Sequence, residues 1–416
     1  MLRIGALAIV VFGALSCGDP ASPTPPVEGS PVADLGSASD TGASTPDTGA
    51  PAADGGQAAD AGAVDSGVVL GPPRVETVVG GLNHPWGMSF LPDGRALITE
   101  RGGRLRILDT QGRLSGEVSG VPSVYASGQG GLLDVLVGPS FARDRLVYLC
   151  YAAQDGRASG TEVARARLED DRLGPLEVVF QASPKIISGS NHYGCRLGFD
   201  PEGHLFIGIG DRFGEMDRAQ ELDSHLGKIM RIWPDGSVPA DNPFMARRDV
   251  LPEIWSYGHR NIQGLVIHPT TGEPWNHEHG PRGGDEVNRP QAGDNHGWPL
   301  ACYGSHYTGQ DIPDDHAGRG FAEPAHYWTP SIAPSGMAFY DGDLFPEWKG
   351  QLFVGALAGR SVRRLELEGN RVVAESRVDG AIGERIREIE MGPDGAIYLL
   401  TDDGNGQVLR ITRDVR

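Results

Sequence analysis

A short unit recurs six times along this chain: a strand-forming run, a turn built on Pro-Asp-Gly or a relative of it, and a second apolar run. The first copy spans residues 88–100 (MSFLPDGRALITE), and the second joins 135–140 (VLVGPS) to 146–151 (LVYLCY). The third is 197–209 (LGFDPEGHLFIGI) and the fourth the looser 265–273 (LVIHPTTGE). The fifth pairs 337–340 with 351–355, and the sixth is 389–400 (IEMGPDGAIYLL). β-formers on both sides of such a turn make a hairpin. One hairpin buries its face only when a neighbour covers it, so the copies must stack and the stack must close. Spacings of roughly 47 to 76 residues suit radial blades. The expectation is an all-β, six-bladed β-propeller, favoured over a pair of β-sandwiches, with residues 75–79 adding a strand to the last blade near 407–412. The 61 Gly and 31 Pro leave little room for long helices.

Outside the repeats lie two segments of a different kind. Arg3, the apolar run 4–15 and the lipobox-like Ala14-Leu15-Ser16-Cys17 read as a lipoprotein export signal over residues 1–17. That run is too short to span a bilayer. Residues 18–72 contain no Lys or Arg and hardly any large apolar side chain, the composition of a disordered acidic tether. The propeller is assigned to 73–416, with membrane association only through a lipid on an exported, periplasmic or outer-face protein.

Of the net charge of −19, about −12 stays on the propeller, without a basic block. Nucleic acid is thereby excluded as a partner, because phosphate contacts need Lys and Arg. A small-molecule substrate fits better. If Cys17 carries lipid, three cysteines remain, enough for one disulfide and one free thiol; Cys150 with Cys195 is the expected pair. No CxxC spacing points to zinc.

The chemistry-bearing residues sit between repeats, where propeller loops converge on the axis. His192 precedes the third blade and can take a proton from a hydroxyl near neutral pH. Arg260 and Asn261 stand together before the fourth. Gly280 and Pro281, followed by Asp285 and Glu286, offer hard oxygen donors of the kind calcium prefers; His277 and His279 leave open a transition-metal pair. Arg385 and Arg387 alternate on one strand, so both guanidiniums face one way and can grip carboxylates.

Taken together, seven segments in register resemble the soluble dehydrogenases of glucose and other aldose sugars that depend on pyrroloquinoline quinone (PQQ). They are 82–88 (LNHPWGM), 128–133 (GQGGLL), 188–197 (SGSNHYGCRL), 258–265 (GHRNIQGL), 280–286 (GPRGGDE), 295–299 (NHGWP) and 334–339 (PSGMAF). The resemblance implies oxidation of an aldose at its C1 hydroxyl to a lactone, with PQQ and Ca2+ as cofactors and an external electron acceptor. It makes His192 the general base and sets Arg260 and Asn261 beside the quinone carbonyls. It also places Gln129 at the sugar and cofactor, Trp328 as a cover, Arg385 and Arg387 on the cofactor carboxylates, and Gly280 and Pro281 as carbonyl ligands of the calcium. Glu286, with His296, falls where the family has a second, structural calcium.

Three positions depart from that pattern. Ala358 stands where the family has a Lys against a PQQ carboxylate, with Arg360 as the substitute. Asn191 replaces an Asp that would orient His192, and Cys195 replaces a Gly. Two other functions are weighed: a binding module that has lost the quinone, which Ala358 favours, and a calcium-dependent lactonase, since other six-bladed propellers hydrolyse lactones with an axial metal held by side-chain carboxylates.

Overall fold

A computed structural model describes residues 70–378 and 382–415. The expected export signal, 1–17, and all but the last residues of the expected tether, 18–72, therefore lie outside the described residues. Six antiparallel sheets follow one another in chain order, with innermost strands Pro85–Phe90, Leu132–Val137, Gly194–Phe199, Ile262–Ile267, Pro334–Phe339 and Ile386–Met391. These six strands pack side by side around a central axis. The first blade has three strands, the second five, and the other four have four each. Ring closure is by the strand foreseen: Arg74–Leu82 pairs with Gly406–Thr412, setting Val75 opposite Ile411 and Thr77 opposite Leu409.

Each pair of neighbouring blades shares its own apolar cluster. Leu97 and Leu105 of the first blade meet Val147 and Leu149 of the second; Leu352 and Val354 of the fifth meet Trp275 of the fourth. The alternation of strand side chains sends every second residue into one of these seams. Each fully buried Leu, Ile or Val there contributes about 1.5–3 kcal/mol. The seam between blades three and four is the smallest, built on Phe206, Ile229, Ile262 and Leu265. Much of that interface is polar instead.

A disulfide joins Cys150 to Cys195 across the second and third blades, leaving Cys302 as a buried free thiol among the described residues. Every innermost strand shifts register near its start, between Gly194 and Arg196 for example, and between Ser335 and Met337. Such bulges increase local twist and re-aim side chains, so residues at strand entry turn toward the axis. Arg196 plugs that axis. Its guanidinium pairs with Glu388, lies near Asp134, donates to the Gln263 carbonyl at 2.7 Å and covers the Trp86 ring at 4.1 Å.

Candidate active site

Two cavities open where the loops converge. The axial one, about 260 Å³, is lined by Trp86, Arg101, Gln129, Tyr193, Asn261, Gln263, His279, Leu357, Arg385, Arg387 and Asp402. The second is a cleft of about 410 Å³ holding His192, Asp211, Phe213, Arg260, Pro281, Trp298 and Tyr307. They share a wall: of the consecutive residues 192 and 193, and again 260 and 261, one faces each side.

The imidazole of His192 is held by its own loop. His192 has a left-handed backbone, φ 53°, which costs a non-glycine residue about 1–2 kcal/mol. Hydrogen bonds keep it there: its N–H donates to Gln129 Oε1 at 2.8 Å, and its carbonyl accepts from Arg212 N at 3.2 Å. The glycines around Gln129 make that contact possible. Gly128 lies against Ser190 in a positive-φ conformation, and a Cβ on Gly131 would run into the Arg101 carbonyl.

His192 Nδ1 lies 2.7 Å from Asp211 Oδ1. Asp211 also accepts from Phe213 N at 2.7 Å and, through Oδ2, from the Trp298 indole N–H at 2.8 Å. A carboxylate that accepts at Nδ1 fixes the proton on that nitrogen and leaves Nε2 with its lone pair. Among the described residues Nε2 has no protein partner. Burial pushes the imidazole below its ordinary value, opposed by Asp211 and reinforced by Arg260 and Arg212, so it is neutral at pH 7. Asp211 went unnoticed in the sequence, where Asn191 was read as the loss of an orienting charge. The charge comes instead from Asp211, nineteen residues beyond His192, tied through its N–H to the Arg260 carbonyl at 2.8 Å.

Arg260 stands over the Trp298 ring at 5.2 Å and near Tyr307 at 5.8 Å. Its Nη1 donates to the carbonyls of His279 and Gly280, each at 2.8 Å. Of the expected calcium ligands, then, Gly280 shares its carbonyl with a cation and Pro281 lines the cleft. Glu286 lies behind Arg260 in a separate small void.

In the axial cavity, Arg385 and Arg387 both reach Asp402 Oδ2, at 2.9 and 3.1 Å. Burial acts to raise that carboxyl, but the two guanidiniums outweigh it and hold it down at about 2. Arg387 Nε is buried without a partner. Arg360, the expected substitute for the family Lys, donates to the Gly383 carbonyl and reaches Glu384 on the surface. The third guanidinium of the cavity is Arg101, which sequence reasoning passed over. Trp328 is also elsewhere: it packs between blades four and five with Trp275. The exposed aromatics at the cleft are Phe213 and Tyr307, whose rings are 6.1 Å apart. His277 and His279 do not form a metal pair; His279 Nε2 bonds the Pro334 carbonyl at 2.7 Å, and His277 is sealed with neither nitrogen bonded.

Residues 82–410 match the model of the glucose / sorbosone dehydrogenase family. The chain belongs to that family. Among the relatives it matches, the aldose sugar dehydrogenase YliI of Escherichia coli (strain K12) is 45% identical over 346 residues, covering 82% of this chain and 92% of its own. A solved glucose dehydrogenase superposes with a TM-score of 0.78 at 50% identity, over 81% of this chain and 98% of that one. The PQQ-bound aldose sugar dehydrogenase of Streptomyces coelicolor does so with 0.69 at 28%, over 83% and 99%.

Proposed function

We propose that this protein oxidises aldose sugars at C1 to lactones, with PQQ and Ca2+ as cofactors, His192 as general base and an external electron acceptor. The observation carrying this reading is a cavity with three guanidiniums against one carboxylate, sharing a wall with a neutral, oriented imidazole. PQQ is a flat tricarboxylate. Arg101, Arg385 and Arg387 offer cations to its carboxylates, Trp86 and Tyr193 offer apolar walls, and the unpartnered Arg387 Nε is a donor awaiting an acceptor. For calcium, the Pro281 carbonyl accepts no hydrogen bond among the described residues and Gly280 keeps one lone pair, two hard donors of the kind the ion takes.

When bound, the quinone supplies the acceptor for a hydride and the cation a Lewis acid. The protein's own residues do the rest. A sugar in the cleft presents its C1 hydroxyl to His192 Nε2, which takes the proton as the C1 hydrogen leaves. Asp211 stabilises the imidazolium that forms, as the carboxylate of a catalytic triad does. Arg260, fixed on Trp298 and two carbonyls, presents its charge where negative charge gathers on an oxygen. Phe213 and Tyr307 flank the cleft and offer apolar faces to the sugar.

Arg101 supplies the cation missing at Ala358, which counts against a propeller that has lost the quinone. A lactonase needs several carboxylates on one ion, whereas Asp402 is alone in its cavity and engaged by two Arg. The lipobox at Cys17 supports attachment of the exported protein to a membrane through lipid; Cys17→Ala should release it in soluble form. The deciding experiment is an equilibrium titration of apoprotein with PQQ and Ca2+, followed by glucose-dependent dye reduction. Quinone binding with turnover is expected, and no binding would end this reading.

A further inference from the structure

Behind Arg260, on the face of the fourth blade turned toward the third, polar residues replace the apolar seam. Strands Pro274–Glu278 and Asp285–Asn288 set Asn276 opposite Asn288 and Glu278 opposite Glu286. Glu278 is fully engaged. It accepts from His259 Nδ1 at 2.8 Å, Asn288 Nδ2 at 3.0 Å and the Arg260 N–H. The groups beside it are not. His296 is 2% exposed with both ring nitrogens unpartnered, and it lines a void of about 10 Å³ with Glu286 and Cys302. His316, fully buried, bonds the Asp314 carbonyl through Nδ1 at 3.2 Å, leaving Nε2 unpartnered 3.6 Å from Glu286 Oε1. The Cys302 thiol has only a long contact, 3.8 Å, to the Gly284 carbonyl.

A void of this size admits one atom or ion. Buried imidazoles with unmade hydrogen bonds are costly, and a histidine whose Nδ1–H is fixed on a carbonyl presents Nε2 as a metal ligand does. The resemblance in sequence implies calcium at Glu286 and His296, but the donors do not fit it. Calcium takes six to eight oxygens. Glu286, His296 and Cys302 line this void, and His316 stands beside Glu286, whose carboxylate accepts only a long bond, 3.4 Å, from Asn288 Nδ2. Even with the buried, unpartnered amide oxygens of Asn276 and Asn288, the side-chain oxygens fall short of six, whereas a carboxylate, two imidazoles and a thiol suit a borderline transition metal in four-coordinate geometry.

We propose that Glu286, His296, Cys302 and His316 form a structural site for a divalent transition metal of the zinc class in place of the family's second calcium. Among the described residues no three such side chains already converge as ligands. Uptake therefore closes the cluster by rotation of the rings and the thiol about their side-chain bonds. The bound ion would pin the segment between His296 and His316 to the fourth blade. That segment carries Trp298, which holds both Asp211 and Arg260, so the metal would stiffen the catalytic wall without touching the sugar.

The test is elemental analysis of the full chain, purified without chelator and dialysed against a calcium-selective chelator. About one zinc-class ion per chain should remain; a nitrogen chelator should remove it and lower the melting temperature, and zinc should restore it. Cobalt(II) should then give tetrahedral bands with a thiolate charge-transfer band that Cys302→Ser abolishes, while His296→Gln weakens cobalt binding by at least ~100-fold. Calcium alone in the dialysed protein, no metal and an unchanged melt, or a cobalt spectrum indifferent to both substitutions would each overturn the proposal. PQQ titration of the same preparations reads the cofactor site separately, so the two readings can fail independently.

Discussion

Replacing Asp211 by Asn tests the proton-transfer half of the mechanism. Every group around that carboxylate is a donor: His192 Nδ1–H and Phe213 N–H at Oδ1, and the Trp298 indole at Oδ2. An amide has one acceptor oxygen. If its NH2 faces Trp298, two donors oppose each other and the Trp298 wall shifts; if it faces His192, the tautomer flips and Nε2 carries the proton, which removes the base. The charge is lost in either case. Imidazolium and carboxylate centres about 4 Å apart attract by ~4 kcal/mol at an effective dielectric of ~20. That is ~10³-fold in rate, inside the ~10⁴-fold expected where the tautomer also flips. Apoprotein loaded with PQQ and Ca2+ should show this loss in kcat by dye reduction, with cofactor absorbance and affinity within about twofold of the unaltered protein. The acid limb of kcat/KM gives a second readout. Burial already places the His192 pKa below about 6.5, and removal of the carboxylate that opposes burial should move the limb lower still. Combining Asp211→Asn with His192→Ala should cost no more than His192→Ala alone. A kcat within tenfold of normal and an unmoved limb would refute the assignment of Asp211 to the base.

Three other outcomes are expected. Arg387→Gln should weaken PQQ binding, measured by calorimetry, by ~30-fold or about 2 kcal/mol, with kcat at saturation little changed. Cys195→Ser should destabilise the protein by up to about 4 kcal/mol, the chain-entropy value for a 45-residue separation, read as a lower denaturant midpoint. The depressed pKa of Asp402 means that its carboxylate stabilises the folded state above about pH 4, and that this contribution is lost as pH falls toward 2. Asp402→Asn should flatten stability against pH in that window, as followed by urea denaturation.

The blades were legible because each hairpin carries its own signature in contiguous residues, strand alternation around a Pro/Gly turn, which local backbone chemistry imposes wherever it occurs. Ring closure was legible for a related reason: six stacked sheets leave the last one short of a strand, and only 75–79 remained to supply it. His192, Arg260, Asn261 and Gln129, singled out by segments with a recognisable order, and Arg385 and Arg387, singled out by alternation on one strand, all line the two cavities. Distances between loops have no such trace in sequence. Asp211, Arg101 and Asp402 sit in ordinary-looking stretches and acquire their roles only when three different blades bring them to the axis. Trp328 and Arg360 show the reverse case, plausible in sequence and directed elsewhere by packing. Local sequence thus determined which segments form hairpins and which loops can carry polar groups. The tertiary structure decided which of those groups meet, because a contact between blades depends on the angle at which each sheet leaves the axis, a property of the whole closed ring and of no single segment.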